Sequence, residues 1–494
     1  MELLAPAGGM EQLWAAVAFG ADAVYLAAEQ FGMRARAANF RMEEIPAAVA
    51  FAHDHGVKVH VTCNILMHPD DIDGLPAFFR ALDGAGVDAF IIGDVGAFAV
   101  AGDVAPRVER HVSTQASVAN AAAARVWHSF GASRVVCARE MSLADIARLR
   151  QDAPPDLEIE AFAHGAMCMA VSGRCLISSY LTGRSGNKGH CTQPCRWSYQ
   201  LGTAGSVAAW LDKPVGGDLG RPSAASTDGL PQRRNAVGAQ GGPRSAPTEF
   251  AMEQPVEFLL EEEKRPGEFF PIEEDDRGTF IMNAKDLNML AHLQALADAG
   301  VDSIKIEGRN KKAFYVATVV GAYRRVLDGE PPDEVADELL AVSHRPYGTG
   351  FYFSEAEQAP AYDGYEQETM HIADIVADDP HYLYLLCRNR FAEGDELEVL
   401  APHEPSRRLI VRDLHWLNTF GPDNHDEDAP ATVEEALTRA TPADWEAAAV
   451  ANRSCNLYRI LVEGGACGGA PAAHVPEGSF LRKRTFRRSA RHGS

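Results

Sequence analysis

Four cysteines gather in the middle of the 494-residue chain: Cys168, Cys175, Cys191 and Cys195, with six, fifteen and three residues between them. A thiolate is a soft ligand. Four converging thiolates suit either a tetrahedral zinc or a cubane (4Fe–4S) iron–sulfur cluster. Structural zinc knuckles usually pair their cysteines more tightly, so the spacing favours the cluster, with zinc as the alternative. The remaining cysteines, Cys63, Cys137, Cys387, Cys455 and Cys467, are scattered. The N-terminus Met1-Glu2-Leu3-Leu4-Ala5-Pro6 lacks the basic start and apolar core of a signal peptide. No apolar run is long enough to span a bilayer. These features predict a cytoplasmic protein without membrane contact, whose thiols stay reduced and free to ligate.

Other chemistry is disfavoured. The chain has no His-Glu-x-x-His, no Gly-x-Ser-x-Gly and no evident triad order. A Cys168–His164 nucleophile and base is conceivable, but the pair is too close in sequence for good proton-transfer geometry. A thiolate that ligates a metal cannot also attack a peptide. The formal charge of −23 argues against indiscriminate nucleic-acid binding, though not against a local basic patch. Such a patch is offered by Arg482-Lys483-Arg484, Arg487-Arg488 and Arg491, read as a basic tail over 481–494.

The elements that position these groups follow a repeated pattern. A helical stretch ends at Gly, a short polar step follows, and a β-branched apolar run comes next, as in Gly86-Val87-Asp88-Ala89-Phe90-Ile91-Ile92. Repeats of this unit mean alternating β and α elements on a parallel sheet. The expected strands are Leu3–Ala5, Ala23–Leu26, Val57–Thr62, Ala89–Ile92, His111–Ser113, Arg134–Cys137, Leu157–Phe162 and Ser303–Ile306. That number favours a closed (β/α)8 TIM-like barrel over an open doubly wound sheet, and no phosphate-cradling glycine fingerprint follows the first strand.

Barrel enzymes keep their reactive groups just after the strands. Asn64, Asp94, Thr114-Gln115, Arg139-Glu140, His164-Gly165 and Glu307-Gly308-Arg309 fall there, and Cys168 follows soon after the seventh strand. Arg34, Arg36, Arg139, Lys305 and Arg309 are expected around one mouth, some paired with Glu140 or Glu307 and at least one facing a dianionic ligand. The barrel is assigned to 1–201 and 254–342. Residues 202–253 are rich in Gly, Pro, Ser and Ala and read as a disordered insertion. The acidic runs Glu261-Glu262-Glu263 and Glu273-Glu274-Asp275 read as solvated faces. Alternating apolar and polar residues, as in Tyr347–Phe353 and Glu396–Leu400, predict a small antiparallel β-barrel over 343–480.

One stretch carries a resemblance. Glu160-Ala-Phe162-Ala-His164-Gly165-Ala-Met-Cys168, Ser172-Gly173-Arg174-Cys175 and Ser178-Ser179-Tyr180-Leu181-Thr182-Gly183-Arg184 resemble the signature of peptidase family U32. The likeness extends to His111-Val-Ser113-Thr114-Gln115, Ala138-Arg139-Glu140, Arg265-Pro266-Gly267-Glu268 and Lys305-Ile-Glu307-Gly308-Arg309. Members carry the label collagenase-like protease, and the block Cys191-Thr-Gln193-Pro194-Cys195-Arg196-Trp197 is similar to that of members that hydroxylate tRNA. The resemblance implies oxygen-independent 5-hydroxylation of the wobble uridine, with prephenate as co-substrate and an iron–sulfur cluster on Cys168, Cys175, Cys191 and Cys195. Sister proteins act on a ribosomal-RNA cytidine or a quinone precursor, and the peptidase label remains an alternative.

Some relatives take a ligand from further downstream. Here no cysteine occurs between Cys195 and Cys387, so Cys195 must serve. The resemblance further implies that Arg139, Glu140, His164, Lys305 and Arg309 form the catalytic group, with Arg139, Lys305 and Arg309 holding prephenate carboxylates or an RNA phosphate. The implied partners are the tRNA anticodon loop and proteins that deliver electrons or iron–sulfur clusters. A splayed base would stack on Trp197, Tyr199 or Phe31.

Overall fold

The computed structural model describes residues 1–32, 39–167, 284–354, 366–422, 429–461, 475–476 and 478–485, and the backbone of three short strands between 258 and 280. Seven parallel strands come first: β1 (Glu2–Pro6), β2 (Ala23–Leu26), β3 (Lys58–Cys63), β4 (Ala89–Ile92), β5 (Glu109–Val112), β6 (Arg134–Val136) and β7 (Glu158–Ala166). Each pairs with the next. The three strands that follow, β8 (Phe258–Glu261), β9 (Phe269–Asp275) and β10 (Gly278–Phe280), form an antiparallel meander in a compact unit of their own, Arg196–Ile281. The acidic runs thus contribute Glu261 and Glu273–Asp275 to strands. After β11 (Asp286–Asn288), β12 (Ser303–Ile306) inserts between β1 and β7 and closes the ring. These eight parallel strands are the ones the sequence pattern predicts, and the barrel is TIM-like.

The glycine pattern has a concrete cause. Gly86 caps the helix Leu75–Ala85 at φ 82°, a left-handed conformation that lets its N–H reach back to the Asp83 carbonyl. Beyond it, Ala89–Ile92 is buried throughout, with Phe90 and Ile92 in the main core. Each buried Phe or Ile contributes about 1.5–3 kcal/mol relative to exposure. The alternate residues Leu4, Ala23, Tyr25 and Ile91 form a separate cluster, as expected of barrel-interior positions.

The barrel wall is extended on one side. β11 pairs antiparallel with β7, and β13 (Tyr347–Gly348) pairs with β11. Tyr347 therefore belongs to the barrel side, although its alternation reads as part of the second domain. Tyr352 Oη donates to the Phe162 carbonyl at 2.5 Å, which ties the same segment to β7.

The C-terminal strands are β14 (Thr369–Asp378), β15 (Tyr382–Cys387), β16 (Phe391–Ala392), β17 (Glu396–Leu400), β18 (Arg407–Ile410), β19 (His415–Leu417), β20 (Trp445–Ala447), β21 (Val450–Ala451), β22 (Leu457–Leu461) and β23 (Phe480–Arg484). Eight of them make one curled antiparallel sheet in the order β18-β17-β23-β14-β15-β22-β19-β20, and β16 pairs with β21. The residues read as the start of a basic tail are instead strand β23, hydrogen-bonded to β14 and β17. Arg482 is fully buried there, with Nε donating to Glu398 (2.8 Å) and Nη1 paired to Glu338 (2.6 Å). Alternation along β23 hid this, because an arginine at an inward position looks like charge until its carboxylates are known. Arg487, Arg488 and Arg491 lie outside the described residues, as does 202–253.

The helix Ala313–Leu327 is buried along most of its length because it packs on the helix Met10–Ala18 and meets the sheet. Phe314 and Phe480 stand edge to face at 5.9 Å, which joins barrel and sheet.

Candidate functional site at the barrel mouth

The interior of the barrel holds a charge network. Glu160 is fully buried on β7 and accepts from Lys305 Nζ at 2.8 Å and from Arg134 Nη1 at 3.2 Å. Arg134 also pairs with Glu2 (2.6 Å) and Glu158 (2.6 Å). Ser303 Oγ donates to Glu2 at 2.7 Å. Burial alone would raise the Glu2 carboxyl, but hydrogen bonding and charge from Arg134 outweigh it and hold it at about 2. His60 and His111 meet edge to face beside this network, 4.8 Å apart. Both are pushed well below the ordinary imidazole value, first by burial; His111 and Arg134, respectively, come next. They are neutral packing groups at physiological pH.

Above the network lies the mouth. Lys305 Nζ sits 4.3 Å from the Tyr25 ring centre, and Tyr25 Oη donates to the Ile306 carbonyl at 3.0 Å. Phe162 separates two cations: Arg139 lies over its ring at 3.7 Å and Lys305 at 5.8 Å. Arg139 reaches from the end of β6 to the Ala166 carbonyl (2.8 Å) and to Glu307 (3.3 Å). Arg309 is buried and donates through Nη1 to Thr62 Oγ1 at 2.9 Å. Asn64 donates to Ser113 Oγ at 3.4 Å, and Thr114 Oγ1 to the Cys137 carbonyl at 3.1 Å. Of the expected cations, Arg139 and Lys305 share the Phe162 ring, and Arg309 follows β12 and bonds to Thr62. Each is already engaged by the protein: Lys305 belongs to the interior ion network rather than to an open rim. Glu140 is half-buried directly after Arg139.

Other expected members of the site have packing or capping roles. Asp94 is a helix cap whose Oδ1 accepts from the Ala97 N–H at 2.9 Å. Phe31 packs edge to face on Phe78 at 4.9 Å and is not an open stacking platform. His164 is the main correction. Its ring lies among Tyr315, Tyr323 and Tyr347, at centroid distances of 6.2, 5.5 and 5.4 Å, on the side covered by the helix Ala313–Leu327. Nδ1 is 3.4 Å from Tyr323 Oη. Burial, then the charges of His344 and Lys311, lower its pKa to about 3. The cause is a β-bulge: Lys305 pairs with Phe162, but the next residue, Ile306, pairs with His164. The extra residue, Ala163, turns His164 to the outer face, away from Arg139 and Lys305.

The four clustered cysteines, with Arg34, Arg36, Trp197 and Tyr199, lie outside the described residues. What is described is their point of departure. Arg139 grips the Ala166 carbonyl, and Met167, next to Cys168 in sequence, is buried. The described chain thus ends, at Met167, one residue beyond the carbonyl that Arg139 holds. The donor set, four thiolates, fits a thiolate-bound centre. Cys63 and Cys137 are buried in the core, and burial pushes the Cys137 thiol up to about 12. Among the described residues no group of three or more His, Cys, Asp or Glu could hold a metal ion, and no helix is long and apolar enough to cross a membrane.

Sequence reading missed the Glu2–Arg134–Glu160–Lys305 network. The signal was there: charged residues placed at alternate positions inside otherwise apolar strands.

Comparison with known proteins agrees with the resemblance. The tRNA hydroxylation protein P1 of Bacillus subtilis is 35% identical over 418 residues, covering 81% of this chain and 83% of that protein. The tRNA hydroxylation protein P of Escherichia coli is 33% identical, covering 81% and 86%. A protein of Porphyromonas gingivalis named collagenase is 30% identical, covering 72% and 74%. The model of peptidase family U32 matches residues 8–361, and the chain belongs to that family.

Proposed function

We propose that this chain is an RNA-modifying enzyme that converts the wobble uridine of tRNA to 5-hydroxyuridine without oxygen. The observation that carries the reading is similarity to two tRNA hydroxylation proteins over four-fifths of the chain. Cys168, Cys175, Cys191 and Cys195 hold an iron–sulfur cluster, which supplies electron-transfer chemistry when bound. Prephenate is the co-substrate. Arg139 and Arg309 orient its carboxylates, because a guanidinium matches a carboxylate with two parallel hydrogen bonds. Glu307 holds Arg139 at 3.3 Å, and the Phe162 ring fixes the plane of its guanidinium. Lys305, neutralised by Glu160, serves as the floor of the mouth. The tRNA anticodon loop is the macromolecular partner, and redox or cluster-delivery proteins are its helpers.

The test is mass spectrometry of tRNA nucleosides from a strain lacking this protein. Nucleosides derived from 5-hydroxyuridine disappear, return with the wild-type chain and do not return with Cys191→Ala. Unchanged nucleosides in the deletion strain would refute the proposal. The relative named collagenase favours a peptidase as the second reading. That reading expects cluster-free protein to cleave gelatin and Cys168→Ala to abolish cleavage. It cannot take His164 as its base, since that ring is buried, turned to the outer face and made a poor proton acceptor by burial.

A further inference from the structure

A cavity of about 700 Å³ opens where the barrel meets the C-terminal sheet. Its barrel wall is Lys311, Lys312 and Phe314, which follow β12 and so stand on the strands' C-terminal side, with the mouth. The sheet supplies the opposite wall through His371, Arg388 and Asn389. The volume falls in the range of ligand pockets, roughly 300–1,000 Å³.

The chemistry of the lining is specific. Two carboxylates face it, Glu11 and Asp374, and both are drawn to Arg388, at 3.4 and 2.6 Å. Asp374 also meets His371 at 2.8 Å. The rest of the polar lining consists of cations and of neutral hydrogen-bonding groups such as Ser343, Thr369, Ser454 and Thr485. Lys, Arg, Ser, Thr, Asn and Gln are the side chains that contact nucleic-acid phosphates and sugars. Lys311 is held in place by the Ser343 carbonyl (3.1 Å) and the Tyr315 ring (4.9 Å), while Lys312 is exposed. In a chain of net charge −23, this gathering is a local exception to the surrounding field. One further fact points the same way. Thr485 lines the cavity and is fixed to the Glu368 carbonyl at 2.7 Å, and the sequence beyond it carries Arg487, Arg488 and Arg491.

We infer that this cavity binds the sugar–phosphate backbone of a single-stranded stretch of the RNA substrate, with Lys311, Lys312 and Arg388 facing its phosphates. The inference rests on the RNA reading above and names where the strand is held outside the mouth. Binding of a tRNA transcript to the full-length protein, followed by fluorescence anisotropy across a salt series, tests it. Lys312→Gln and Arg388→Gln each remove one charge, and the double variant lowers affinity about tenfold or more at low salt. The slope of log affinity against log salt falls by about 0.7 for each phosphate left without its cation, hence by about 1.4 in the double variant. Arg408→Gln, at an exposed site on β18, leaves both unchanged. Melting curves of the variants separate weakened binding from failed folding, and Lys312→Gln alone, at an exposed position, keeps the test open if Arg388→Gln unfolds. Wild-type affinity and slope in Lys312→Gln and Arg388→Gln would overturn the inference, as would wild-type protein that binds no tRNA. If the variants lose binding while the deletion strain keeps its nucleosides, the site stands and the hydroxylation reading falls.

Discussion

Replacing Glu160 with glutamine should destabilise the barrel far more than a change of one charge usually does. The glutamine keeps the shape of the side chain but removes the carboxylate that Lys305 and Arg134 share. Arg134 retains Glu2 and Glu158. The Lys305 ammonium, 6% exposed, loses the carboxylate that neutralises it inside the barrel. An exposed pair would cost under about 1 kcal/mol. Breaking a buried pair costs about 3–5 kcal/mol, because the remaining charge stays out of water. For a compact unit of about 400 residues that is a fall in melting temperature of roughly 3–6 °C. Lys305→Met should cost less, since Glu160 keeps Arg134. The double variant Glu160→Gln/Lys305→Met has no stranded ammonium and should recover much of the loss, giving a coupling of about 2 kcal/mol or more. Thermal and denaturant unfolding followed by circular dichroism reads all four corners of the cycle. Single variants within about 1 °C of wild type, with additive effects, would refute the argument.

Acid should weaken the fold in two windows. His164 is neutral in the folded protein down to about 3 but protonates near 6.5 when unfolded, so its contribution is complete above 6.5 and drains away as pH falls toward 3. Glu2, held at about 2 against an ordinary 4.5, adds a second loss below 4.5. Denaturant midpoints measured from pH 7.5 to 4 should fall below pH 6.5, and His164→Phe should flatten that fall; an unchanged slope would count against a buried neutral ring. Gly165→Ala should be damaging out of proportion to one methyl group. Gly165 has φ 105°, and a Cβ there would come within 2.4 Å of the Glu307 carbonyl oxygen. Backbone strain alone costs about 1–3 kcal/mol, and the displaced Glu307 should also release Arg139, so nucleoside formation should fall more than stability does.

Much of the fold was legible because its signals are local. At Gly86 the turn out of a helix and the buried run after it lie within seven residues, and both leave marks in residue type. The same grammar recurs before β2, β3, β6 and β12, at Gly20, Gly56, Gly131 and Gly300. What was not legible depends on partners far away in sequence. His164 looks inward by alternation from Glu160 and Phe162, and only the bulge against β12, some 140 residues later, turns it outward. Arg482 looks like a tail residue until Glu338 and Glu398 are brought to it. The mouth was partly visible: Arg139 and Arg309 fall directly after strands, yet their engagement by Phe162, Glu307 and Thr62 is a product of ring closure and has no trace in spacing.

Ring closure also sets a schedule for synthesis. Residues 2–166 emerge from the ribosome as seven strands with both outer edges, β1 and β7, waiting for β12 at Ser303–Ile306. At about 5–20 residues per second, the interval from Ala166 to Ser303 lasts roughly 7–27 s. During that time two hydrogen-bonding edges stand open to any passing extended peptide. The arrival of β12 pairs both edges with a single strand.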